Sequence, residues 1–151
     1  MQMFTKIKHS SKGVVEIHWL TVPEDAPESI EHKLVSEDEP RKEYQKALQA
    51  FRGYVVTICE LPEKWKETVD VISLSFSPQK KDEGRGLVVT AKRALGNGLT
   101  LVLNTPYLTE FGFHEGALKW PDYLDNLVQR ANDEAKSYRE GDRAQQILKA
   151  S

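Results

Sequence analysis

Several groups of residues in this chain have the chemical types that reactions use, and their spacing decides what each can do. Ser73, Ser75 and Ser77 alternate with Ile72, Leu74 and Phe76, which places three hydroxyls on one face of a strand. Such a row can hydrogen-bond a partner strand or phosphate oxygens, or simply face water. No Gly-x-Ser-x-Gly turn surrounds any serine, so none is set up as a nucleophile. His9, His18, His32 and His114 are dispersed, and only His18 and His32, on predicted strands, could face one another with a carboxylate nearby. A zinc site needs three or four converging ligands, so no metal is expected. Cys59, the only cysteine, reads as a small core residue near the end of an apolar helix. The acid pairs Glu63 and Glu67, and Asp133 and Glu134, are of a kind that any acidic helix carries. Gly84-Arg-Gly86 lacks the Lys-Ser or Lys-Thr of a phosphate loop, and Gly96-Asn-Gly98 lacks the following helix of a dinucleotide site. Both read as turns. The chain is therefore expected to need no cofactor and to be non-catalytic.

Charge is more informative than any catalytic motif. The 151 residues carry 21 Lys and Arg against 23 Asp and Glu, a net of −2, so overall charge gives no argument for nucleic acid. Local charge does. Residues 24–39 hold seven carboxylates against Lys33, a net of −6. The following segment reverses sign, with Arg41, Lys42, Lys46 and Arg52 against Glu43. A second basic segment holds Lys80, Lys81, Arg85, Lys92 and Arg93 against Asp82 and Glu83. If the two basic segments adjoin, Arg41, Lys42, Lys46, Arg52, Arg85, Lys92 and Arg93 could track a phosphate backbone and release its counterions. The alternative is an ordinary solvated face. The acidic segment 24–39, or the aromatic loop 107–120, would instead suit a protein partner such as a host enzyme to be inhibited, because acidic surfaces can mimic DNA.

The elements that must position these groups follow from periodicity. Strands are predicted at 3–8, 14–22 and 29–36, the first two joined by the turn Ser10-Ser-Lys-Gly13. Tyr44, Leu48, Phe51, Val55 and Ile58 then fall at spacings of three and four and predict one helix over 38–60, weakened at Gly53 and ended by Pro62. Strands return at 72–76, 87–93 and 99–104, and residues 105–120 read as a loop packed over an edge. Pro121 opens a second helix to about residue 140, with Tyr123, Leu124, Leu127, Val128, Ala131, Ala135 and Tyr138 inward and Gly141 as its stop. The order is β-β-β-α-β-β-β-α. It predicts an α+β fold in which two amphipathic helices cover antiparallel meanders, over residues 1–141, with 142–151 as a flexible tail. Arg143-Ala-Gln-Gln-Ile-Leu-Lys149 in that tail loosely resembles the peptides that dock on replication clamps, and frayed helix is the simpler reading. No stretch has the roughly 20 apolar residues of a membrane span, and the start has no signal-peptide pattern, so a cytoplasmic protein is expected. Meander edges left open would allow pairing between subunits, so a homo-oligomer is compatible with the sequence.

The segments Ile58-Cys-Glu-Leu-Pro-Glu-Lys-Trp65, Val71-Ile-Ser-Leu-Ser-Phe-Ser77 and Leu101-Val-Leu-Asn-Thr-Pro106 resemble small proteins of tailed phages and prophages, a family with no established activity. The resemblance implies a phage setting near replication and recombination genes, with DNA or a phage or host replication protein as partner. The doubled βββα order is similar to that of sliding clamps, whose helices present basic faces to DNA; the analogy is one of element order alone.

Overall fold

The computed structural model describes residues 2–24, 28–80, 84–112 and 118–144. The acidic Asp25, the basic Lys81 with its neighbours Asp82 and Glu83, His114 and the glutamine-rich end of the tail lie outside the described residues. Among the described residues, seven antiparallel strands and three helices form a two-layer α+β fold. The strands are β1 (Gln2–His9), β2 (Val15–Thr21), β3 (Ile30–Ser36), β4 (Asp70–Lys80), β5 (Gly84–Ala94), β6 (Thr100–Asn104) and β7 (Leu108–Thr109). The helices are α1 (Lys42–Gln49), α2 (Arg52–Ile58) and α3 (Tyr123–Arg139), with a 3-10 turn at Glu63–Glu67.

Both meanders form, and they are one sheet. Its order is β3-β2-β1-β4-β5-β6, with β7 also paired to β5. The join is narrow: β1 meets β4 only through Lys6–Ser75, Ile7–Leu74 and Lys8–Ser73. Beyond it, the amino end of β1 follows β2 while the far half of β4 follows β5, so the sheet forks there. The helices cover one face. Ile7, Ile17, Leu74, Leu87 and Val89 from the sheet meet Leu48, Phe51 and Val55 and, from α3, Leu124, Val128 and Ala135, all buried in one core. Tyr44 and Tyr138 lock the layers, their hydroxyls donating to the carbonyls of Lys8 (3.0 Å) and Asp38 (2.6 Å).

Several local expectations need correction. The helix over 38–60 is two, because the chain leaves regular α-geometry at Ala50-Phe51 and resumes at Arg52; Arg41 is the N-cap in place of Asp38. Glu60 takes the left-handed region (φ +54), and Pro62 follows, so α2 stops where the proline predicted. In β4 the pairing shifts between Val71 and Ser73, so Val71 enters the core in place of Ile72. The loop 105–120 contains β7, which pairs Leu108 with Leu87 and Thr109 with Gly86. Tyr123, expected inward, is 49% exposed at the first position of α3, one residue before the buried stripe begins at Leu124. Past Gly141 the chain is held at its start: Arg143 pairs with Asp38 and the Ala144 amide donates to the Glu39 carbonyl (2.8 Å).

Candidate nucleic-acid interface

The basic residues occupy three places. Arg41 sits between α1 and α3, donating to Glu134 at 2.8 Å with Asp142 at 3.4 Å. Arg85, at the start of β5, bonds Glu110 at 2.8 Å through both its backbone amide and its Nε, and packs over the Trp120 ring. These two hold the fold together and are neutralised where they stand. Lys92 and Arg93 lie at the other end of β5, about 23 Å from Arg85 at the rise of an extended strand.

That second end is where the helical and strand-borne cations meet. Gln49, the last residue of α1, donates to Asp70 Oδ1 and the Val71 carbonyl and accepts from the Val71 amide, each at 2.9 Å. Asp70 and Val71 pair across the sheet with Lys92 and Ala91, so the end of α1 abuts the end of β5. Arg52 donates Nε to the same Gln49 side chain (3.0 Å). Lys46 and Lys42 precede Gln49 by three and seven residues, the spacing of one helix face, and both are exposed. The 3-10 turn completes the group. Arg93 lies over the Trp65 ring at 4.1 Å and donates Nε to Thr68 Oγ1 at 2.9 Å. Lys66 reaches back over α2, its Cε 3.5 Å from where a Cβ on Gly53 would be. Glu43, Glu63, Glu67 and Asp70 are the acids in these segments; Glu43 is exposed on α1 and Asp70 is tied to Gln49. Among the described residues no carboxylate comes within ion-pairing distance of Lys42, Lys46, Arg52, Lys66, Lys92 or Arg93. A guanidinium held over an indole and bonded through its Nε is restrained, so a phosphate it meets needs less side-chain ordering.

Sequence reasoning missed Lys66 and Trp65, which sit in a turn that carries no periodicity. It placed Arg41 and Arg85 in the basic surface because their acidic partners, Glu134 and Glu110, are far away in sequence. The excess of basic residues in the second segment was the signal for Lys92 and Arg93.

The open face of the sheet carries Glu16, His18 and Lys33 beside the exposed Val35 and Val102. His18 and His32 do not face one another: His18 pairs with Lys33 and Trp19 with His32, which puts the two imidazoles on opposite faces. His32 stacks on Trp19 and bonds Thr21 Oγ1 at 3.0 Å. His18 lies beside Glu16 at 3.5 Å, with Lys6 at 3.1 Å and Lys33 at 3.5 Å from the same carboxylate. Burial alone would push the Glu16 carboxyl up, but the Lys6 hydrogen bond and the surrounding cations bring it below the usual carboxylate range. Ser73 is buried, and Ser77 hydrogen-bonds the Tyr107 hydroxyl (2.6 Å) and accepts from the Gly86 amide (3.1 Å), so the row of hydroxyls is partly consumed by the fold. Burial raises the Cys59 thiol, the opposite of what a nucleophile needs. Among the described residues no three His, Cys, Asp or Glu converge as metal ligands, and no helix is long and apolar enough to cross a membrane. Comparison with protein families, with curated proteins and with solved structures finds no match to this chain.

Proposed function

We propose that the protein is a non-catalytic nucleic-acid-binding accessory protein, of the kind that serves DNA replication or recombination, and that it contacts phosphates through the basic end formed by α1, α2, the 3-10 turn and β5. The carrying observation is that Lys46, Arg52, Lys66 and Arg93 come from four separate segments to the helix side of one end of the molecule, with Lys92 on the other face of β5, and that among the described residues no carboxylate pairs with them. Arg41 and Arg85, by contrast, are partly buried and are paired with carboxylates where they stand. Recognition of this kind positions a backbone and reads no bases, so the binding should be largely indifferent to sequence. Backbone chemical-shift mapping with a short single-stranded and a short duplex DNA tests it. Perturbations centred on residues 46–52, 64–68 and 92–93 are expected. Perturbations confined to β3, or none at concentrations well above micromolar, reject the reading.

A second reading rests on a different feature. β3 is a free edge of the sheet, with Ile30 51% and Val35 53% exposed and Glu31 between them. An edge of this kind accepts a strand from a protein partner, and Val35→Lys should then abolish that complex while leaving DNA binding intact.

A further inference from the structure

The fork in the sheet leaves a second cationic place, at the Arg85 end of β5 and distinct from the surface proposed above. A cleft of about 350 Å³ opens between the amino end of β1 and the flank of α3, within the size range of small-ligand sites. Gln129, Asn132, Lys136 and Arg139 line it from α3 at spacings of three and four, and Phe4 forms its apolar wall. Arg139 holds its guanidinium 5.3 Å from the Phe4 ring and 4.8 Å from the Trp19 ring. Among the described residues its Nη1 is buried without an acceptor, and the Asn132 side-chain oxygen is buried without a donor. An unpaired buried polar atom is costly, and two in one cleft point to a missing partner. The negative end of the α3 dipole explains why cations stand in its last turn. It does not explain a guanidinium without an acceptor. The acids at the rim are engaged: Asp133 accepts from Gln129 (2.9 Å) and Glu110 from Arg85.

We infer that this cleft binds a small phosphate monoester, its phosphate on Arg139 and Lys136 and its body against Phe4. A lone carboxylate would be satisfied by the guanidinium alone, whereas two cations and a nearby amide match a dianion with three terminal oxygens. Asn132, by turning its amide, can meet the phosphate or a hydroxyl of the ligand.

Calorimetric titration of the full chain with adenosine monophosphate and with inorganic phosphate tests the inference. Saturable one-site binding is expected for both, tighter for the nucleotide because its body adds contact with Phe4. Lys136→Gln, an exposed change that leaves packing alone, should weaken both about tenfold or more. Arg139→Gln should weaken them further, with circular dichroism showing whether the fold survives the loss of packing on Phe4 and Trp19. A Lys92→Gln/Arg93→Gln variant should bind both probes as the wild type does, and this separates the cleft from the nucleic-acid surface. No saturable binding, binding unchanged in Lys136→Gln, or binding lost in the Lys92/Arg93 variant would each overturn the inference.

Discussion

Tyr107 and Gly86 show how single residues hold this sheet together at its fork. A Cβ on Gly86 would lie 2.0 Å from Tyr107 Cε2, so only glycine lets the ring lie on β5 with its hydroxyl on Ser77. Gly86→Ala should displace the ring and cost about 1–3 kcal/mol in urea unfolding; an unchanged midpoint would mean that the ring has other room. Titrating groups act at the same scale. Burial holds the His9 imidazole below its ordinary 6.5, against the upward pull of Asp70 and Glu39, and holds His18 below it against Glu16. The unfolded chain therefore takes up these protons first, so the stabilising contribution is full above pH 6.5 and lost as pH falls through the lower native values. Glu110 adds a second step. Burial raises its carboxyl, but the hydrogen bonds from Arg85 outweigh this and leave it below 4.5, so its contribution is present above 4.5 and lost beneath it. Denaturation midpoints should fall on acidification across both windows, and His9→Asn/His18→Asn should flatten the first. A wild-type midpoint that does not move across pH 6.5 would contradict this.

At the scale of elements, the end of α1 is fastened to the sheet through one amide. Gln49 satisfies Asp70, both backbone groups of Val71, and Arg52, so Gln49→Ala should cost about 1–3 kcal/mol by leaving partly buried groups unpaired. It should also loosen the basic end. Gly53 offers the reverse case: it is helical, and a Cβ there would make ordinary contact with Lys66, so Gly53→Ala should stabilise by about 0.4–1 kcal/mol. Elements were legible in the sequence wherever a periodic stripe met a turn signal. Tyr44, Leu48, Phe51 and Val55 marked the buried side of α1 and α2, and Leu74 and Phe76 the buried side of β4. The break at Ala50-Phe51 was not legible, because the apolar stripe runs through it unchanged. The bulge that exchanges Ile72 for Val71 left no trace either, since both residues are β-branched and equally suited to the core. β7 is two residues long and has no period to read.

For the molecule as a whole, the sequence carried the layer architecture and the sign of each basic segment, but not which cations survive as free charge. That depends on partners distant in the chain: Arg41 meets Glu134 and Arg85 meets Glu110 only after the helices dock and β7 pairs with β5. Among the described residues this leaves unpaired cations at both ends of β5, at Lys92 and Arg93 and in the cleft beside Arg85. The surface at Lys92 and Arg93 is tested most directly by the dependence of DNA affinity on salt. The slope of log K against log salt, measured by fluorescence anisotropy from about 50 to 200 mM, counts the phosphates neutralised. Wild type should show a steep slope, made shallower by about two to three in Lys66→Gln/Lys92→Gln/Arg93→Gln and little changed in Arg41→Gln. Equal slopes in wild type and the triple variant, or no binding at the lowest salt, would contradict the proposed interface.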